Sequence, residues 1–197
     1  LPIVAPFRLS GHIEFEDDHA LEASREVRER AVLLTPAGRA EIGPDNSFTI
    51  EGVTPGRHSV VVQLGDTFVK SVTLGAVQSE RMIDVRNGGG EAQLTVLVSA
   101  NWAAISGTVS DSQSPASGGF VELRFNGGGS TEATVDSTGH FVFPHVYPGT
   151  YRLIAGDERV RYGGADLLDD YKDFVVTVTV HAGDKITQEL KPIPPDK

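Results

Sequence analysis

Apolar and polar residues alternate with period two along most of the chain. Phe48, Ile50 and Val53 lead into a Pro-Gly turn, and Val60, Val61 and Val62 follow it. Phe68, Val69, Val72 and Leu74 read as a further strand, and Leu94, Val96 and Val98 alternate with Thr95, Leu97 and Ser99. Val121, Leu123 and Phe125 alternate with Glu122, Arg124 and Asn126, and 174–180 is rich in β-branched residues. These patterns predict half-buried strands. Two stretches have helical character. His19 to Arg30 lacks Gly and Pro but carries no apolar stripe, so a loop or one short helical turn is expected before a strand at Ala31–Thr35. Asp166 to Tyr171, after Gly163-Gly164, fits one turn of helix. The expected class is all-β.

The pattern occurs twice. Leu9-Ser10-Gly11-His12-Ile13 corresponds to Ile105-Ser106-Gly107-Thr108-Val109. Asn46-Ser47-Phe48-Thr49-Ile50 corresponds to Gly139-His140-Phe141-Val142-Phe143, and Val53-Thr54-Pro55-Gly56-Arg57-His58 to Val146-Tyr147-Pro148-Gly149-Thr150-Tyr151. Each copy has about 95 residues, the size of a seven-strand sandwich. The expectation is two tandem seven-strand, Ig-like or prealbumin-like β-sandwich domains, 1–99 and 100–197, meeting near Ala100-Asn101. Phe48, Ile50, Phe141 and Phe143 are expected in the cores. Pro-Gly suits the centre of a type II turn, with positive φ at Gly56 and Gly149 and a hairpin across it. Glycine inside the Ser-Gly strand pattern suggests a bulge or a close backbone approach.

Composition narrows the function classes. The 197 residues are 39% hydrophobic, enough for a core, and no apolar run approaches the roughly 20 residues of a membrane span. Acidic residues outnumber basic ones 27 to 17, with the same excess in each half. Nucleic acid and membrane insertion are therefore poor expectations. The absence of cysteine excludes disulfides, thiolate metal sites and cysteine nucleophiles. The chain starts at Leu1 without a charged-then-apolar leader, which reads as a processed product or a piece of something longer. Leu1 to Phe7 suits an extended segment docking on a sheet edge, in its own module or a neighbouring copy, and Lys191 to Lys197 reads as a frayed end.

The duplicated motifs resemble the carboxypeptidase regulatory-like family, whose hallmark is "v-s-G-x-V" followed by "d-G-x-F-x-f-x-x-V-x-P-G-x-Y". The second copy holds nearly all of it. The first departs at Asn46-Ser47, in place of the Asp-Gly turn, and at His58, in place of the final aromatic. The linking stretch Phe68 to Gly75 resembles multi-repeat secreted proteins of acidobacteria-like soil bacteria, and Tyr151 to Lys191, with its acidic "Asp-Leu-Leu-Asp-Asp-Tyr" insertion, resembles the terminal repeat of those proteins. The resemblance implies a transthyretin-like or prealbumin-like sandwich, grouped with carbohydrate-binding-like folds. It also implies a non-catalytic appendage of a secreted or cell-surface protein.

Motifs of chemistry are sparse. The six histidines, His12, His19, His58, His140, His145 and His181, form no H-E-x-x-H or H-x-H arrangement, so no metal and no cofactor are expected. There is no G-x-S-x-G elbow and no Walker A loop; Gly88–Gly90 and Gly127–Gly129 read as loop tips. Trp102 reads as a packing residue between modules. The one aromatic-plus-carboxylate constellation is Tyr162, Asp166, Asp169, Asp170 and Tyr171, with Asp173 beside it, and it is the candidate ligand site. The leading reading is a non-enzymatic structural or interaction module for spacing, adhesion or fibre-like assembly. Its partners would be other domains of the same larger protein or neighbouring copies. A carbohydrate-binding module with a polysaccharide partner is the first rival, and an accessory region of a hydrolase the second.

Overall fold

The computed structural model describes residues 6–25, 27, 29–85, 92–111, 118–125, 129–162 and 166–194. The expected docking of Leu1 to Phe7 and the loop tip at Gly88–Gly90 fall wholly or mostly outside these residues. The chain divides into two compact units, Leu1–Asn101 and Trp102–Lys197, and each is an all-β sandwich around its own core.

The first unit runs β1 (Phe7–Phe15), α1 (Asp18–Ala23), β2 (Ala31–Thr35), β3 (Gly38–Glu41), β4 (Ser47–Val53), β5 (Arg57–Gln63), β6 (Phe68–Leu74), β7 (Val77–Ser79), β8 (Met82–Asp84) and β9 (Leu94–Ser99). Its sheets have the orders β4-β1-β9-β6-β7 and β3-β2-β5-β8. The second unit runs β10 (Ala103–Val109), β11 (Phe120–Phe125), β12 (Ser130–Thr134), β13 (His140–Val146), β14 (Gly149–Gly156), α2 (Glu158–Tyr162), α3 (Leu167–Asp170), a 3₁₀ turn (Lys172–Phe174), β15 (Val176–Val180) and β16 (Lys185–Leu190). Its sheets are β13-β10-β16 and β12-β11-β14-β15.

The two units share a plan compatible with a transthyretin-like fold. In each, the first strand lies between an antiparallel neighbour, β4 or β13, and a parallel one, β9 or β16. The register repeats to the residue: Gly11 faces Phe48 and Leu94, and Gly107 faces Phe141 and Gln188. A register shift occurs at the same place, between Phe7 and Leu9 and between Ala103 and Ile105. The second unit has the expected seven strands among the described residues, and the first has nine. The additional pair is the β6–β7 hairpin, inserted between β5 and β8. The second unit inserts α2, α3 and the 3₁₀ turn at the same point, between β14 and β15. The strand expected from Phe68, Val69, Val72 and Leu74 within the linking stretch is β6, paired with β9.

Alternation explains the cores. Phe48, Ile50, Phe141 and Phe143 are buried, with Val96 and Val98 from β9 and Leu123 and Leu153 from the facing sheet of the second unit. Gly11 and Gly107 are the close backbone approaches that the strand-internal glycines suggest. A Cβ at Gly11 would collide with the Leu94 carbonyl and the Phe48 ring, and one at Gly107 with the Gln188 backbone. The hairpin β11–β12 encloses the glycine-rich stretch, with Phe125 N–H donating to Gly129 C=O at 3.1 Å; residues 126–128 lie outside the described set. Lys191–Pro194 does not fray: Ile193 is buried, and its N–H donates to Ala155 C=O at 2.8 Å.

The Pro-Gly pairs make corners, not hairpins. β4 and β5 belong to different sheets, as do β13 and β14. The chain must pass between layers about 10 Å apart, which a two-residue reversal within one sheet does not achieve. Gly56 and Gly149 have the expected positive φ, but at 145° and 156° they lie far from the type II value. A side chain closes each corner. The Tyr151 hydroxyl donates to Tyr147 C=O at 2.6 Å, and His58 Nε2 donates to Thr54 C=O at 2.7 Å. His58, the departure from the resembled motif, therefore makes the same four-residue backward bond from a 1% exposed position. Tyr151→Phe is expected to cost about 0.5–1.5 kcal/mol in a denaturant melt. His58→Phe should cost less, because it also removes a buried Nδ1 that lacks a partner.

Candidate functional site

The candidate ligand residues sit in the β14–β15 insertion. Asp166 precedes α3, and its carbonyl accepts the N–H groups of Asp169 at 3.0 Å and Asp170 at 2.9 Å. That single turn leaves Asp166, Asp169 and Asp170 exposed, while Leu168 is buried. Tyr162 ends α2 and is 74% exposed. Tyr171 turns the other way. It is half-buried, its ring centroid 6.4 Å from that of Phe174, against an apolar cluster of Ile154, Val160, Leu168 and Ile193. The insertion thus acts as an amphipathic cover. Its carboxylates point to solvent, and its aliphatic side chains with Tyr171 pack on the outer face of the β12-β11-β14-β15 sheet. Among the described residues, no group of three or more His, Asp or Glu side chains is placed to hold a metal ion.

Trp102 packs within its own unit, its ring centroid 5.3 Å from that of His145 and 4.9 Å from that of Tyr147. A groove of about 430 Å³ opens in the first unit between the edge strands β7 and β8, lined by Leu74, Val77, Met82 and Ile83 with Arg57 and Asp84. Sequence patterning missed it, because short three-residue strands carry too few alternations to be recognised.

The carboxyls held below their usual range lie in the connections between strands. The Thr138 hydroxyl, then the N–H groups of His140 and Thr138, hold the Asp136 carboxyl below the usual carboxylate range. The Ser47 hydroxyl and N–H do the same for Asp45. The turn itself repeats: Gly43 N–H donates to Ser47 C=O as Asp136 N–H does to His140 C=O, and Asn46 (φ 64°) takes the left-handed place of Gly139 (φ 82°). Asp184 is lowered by the His181 N–H and ring, and Glu16 by Lys70 and then Ser99. A lowered native pKa stabilises the fold above the unfolded value, and that contribution is lost as pH falls through the native value. The melting temperature should therefore be level above about pH 5 and fall below about pH 4. Calorimetry across pH checks this, and Asp136→Asn should flatten the decline of the second unit.

No family model and no curated protein matches the chain. Among solved structures it is similar to the Bacillus anthracis TIE protein, with 13% identity and a TM-score of 0.36 over 96% of this chain and 34% of that one. It is similar to GBS52, the minor pilin of Streptococcus agalactiae, with 14% identity and a TM-score of 0.38 over 100% of this chain and 86% of that one. It is also similar to BcpA, the major pilin subunit of Bacillus cereus, with 12% identity and a TM-score of 0.35 over 94% of this chain and 59% of that one. The chain thus spans about a third of the length of the first of these.

Proposed function

We propose that this chain is a non-catalytic, load-bearing pair of β-sandwich modules of the carboxypeptidase regulatory-like kind, in a secreted or cell-surface protein. Its partners are further domains of the same protein or neighbouring copies. One observation carries the reading. In each unit the first and last strands are direct neighbours and run parallel, Gly11–Phe15 beside Leu94–Val98 and Ala104–Val109 beside Lys185–Leu190. Tension applied along the chain pulls such strands past each other lengthwise. The rungs of the ladder are then loaded together in shear, rather than broken one at a time as in a peeled hairpin. The same device in both units suits a spacer that keeps its length under load. The residues of the second copy, from Ile105-Ser106-Gly107 to Pro148-Gly149-Thr150-Tyr151, support the family assignment.

Single-molecule stretching of the whole chain between its ends tests the proposal. Two abrupt unfolding events are expected, each releasing roughly 30 nm, the length of about 90 extended residues at about 3.3–3.6 Å each. Gradual extension at the low force of a peeling hairpin would refute the load-bearing role.

A further inference from the structure

The repeat offers an internal comparison of two equivalent sheet faces, one covered and one bare. In the second unit, Glu122 and Ile154 form a cross-strand pair on the outer face of β11 and β14, with Arg152 and Thr177 beside them. α2 packs on both β11 and β14. Ile154 is 0% exposed there, under Val160, Leu168 and Ile193. Matched through the corner residues His58 and Tyr151, the equivalent positions in the first unit are Leu33 and Val61, with Ser59 and Met82 beside them. The insertion that covers the second unit is replaced in the first by the β6–β7 hairpin, which joins the opposite sheet. The face it leaves is open, with half-buried Leu33 and exposed Val61 and Met82 lying among exposed Arg39, Gln63 and Asp84. Val61 is 42% exposed and Met82 48% exposed, and Met82 continues over β8 into the groove beside Val77.

We infer that the Leu33–Val61–Met82 face of the first unit is a docking site for a short amphipathic helical segment of a partner polypeptide, bearing branched aliphatic side chains. The occupant follows from the repeat. The same fold, in the same register, places Val160 and Leu168 of a helical cover on this position, and exposed Val61 stands where buried Ile154 stands. Val61, Val77 and Met82 are three of the five exposed large hydrophobic residues among those described, and they lie on β5, β7 and β8 of this unit; exposed apolar residues gathered on one side of a domain mark an interaction surface. Leu33 and Val61 supply a cross-strand aliphatic pair where the covered unit has Glu122 and Ile154. At these four matched positions the bare face carries three apolar side chains, Leu33, Val61 and Met82, and the covered one carries Ile154 alone.

The chain contains one methionine, so selective methyl labelling gives a single reporter at Met82. The probe is a synthetic peptide with the sequence of residues 157–175, titrated into the full chain and followed by methyl NMR. A free peptide of this length is a marginal helix and is ordered on binding, so affinity near the millimolar range is expected. The Met82 methyl should shift saturably. Val61→Asp, an exposed substitution, should weaken binding at least tenfold, and a peptide carrying Val160→Asp and Leu168→Asp should give no saturable shift. Fusing the segment to the chain by a flexible Gly/Ser linker raises its effective concentration to the millimolar range, so the shift should then be present without free peptide. A Met82 methyl unmoved in both formats overturns the proposal, as does an equal response to the doubly substituted peptide. A shift that depends on protein concentration alone assigns the face to a second copy and overturns the helical occupant.

Discussion

Gly107→Val should unfold the second unit under conditions where the first stays folded. Gly107 lies on β10 between two bonded neighbours, and its missing side chain is what allows them to approach. An added Cβ meets the carbonyl oxygen, carbonyl carbon and amide nitrogen of Gln188, all backbone atoms of β16. A side-chain obstacle can rotate away, but a backbone obstacle moves only with its strand. The collision therefore separates β10 from β16 along a pairing that runs from Ala104 to Val109. The expected cost is at or beyond the upper end of the roughly 1–3 kcal/mol of ordinary overpacking. A β-branched residue cannot be accommodated by relaxation at the middle of that ladder. Calorimetry of the variant should show the first unit's transition retained and the second displaced to low temperature or lost. A single unchanged transition would show that β16 does not press on Gly107 in solution.

Phe141→Ala should remove about 3–5 kcal/mol from the second unit. Phe141 is among the largest fully buried side chains of that unit, pairs across the strands with Gly107, and meets Phe143 edge-on with ring centroids 6.0 Å apart. Truncation leaves a ring-sized void, and Gly107, opposite it on β10, has no side chain to help fill it. Urea titration read by the fluorescence of Trp102, which belongs to the same unit, measures the loss. A change below about 1 kcal/mol would mean that the core collapses around the void. The two substitutions are close in space and share the β10–β13 pairing, so their effects should not add.

The arrangement of the Ser-Gly, Phe-x-Phe and Pro-Gly motifs was legible because each answers a local demand. Phe48 and Phe141 alternate inward, Gly11 and Gly107 make room, and Gly56 and Gly149 take positive φ at a corner. The hairpin expected across Pro-Gly was wrong for a physical reason: alternation says which face of a strand is buried, but not which sheet the next strand joins. The candidate ligand site divides in the same way. A helical turn over Asp166–Tyr171 was readable from local composition. That Tyr171 would turn under the insertion while Asp166, Asp169 and Asp170 faced water depended on Ile154 and Ile193, which lie outside the insertion on β14 and beyond β16. His58 reads in the sequence as a departure from the resembled motif, and its bond to Thr54 becomes visible only with the corner built.

What the sequence alone determined is the all-β class, the duplication and the buried alternation, since these follow from side-chain period and turn residues within a few positions of each other. The tertiary structure decided the rest. The connection after β5 joins the sheet of β1 as a hairpin, whereas the one after β14 folds back as helices over its own sheet. Such a choice is made by non-local burial: Leu74 and Val72 find β9 as a strand partner, and Val160 and Leu168 find Ile154 as an apolar floor. No residue within either insertion states which surface will be available to it, because that surface is assembled from strands elsewhere in the chain.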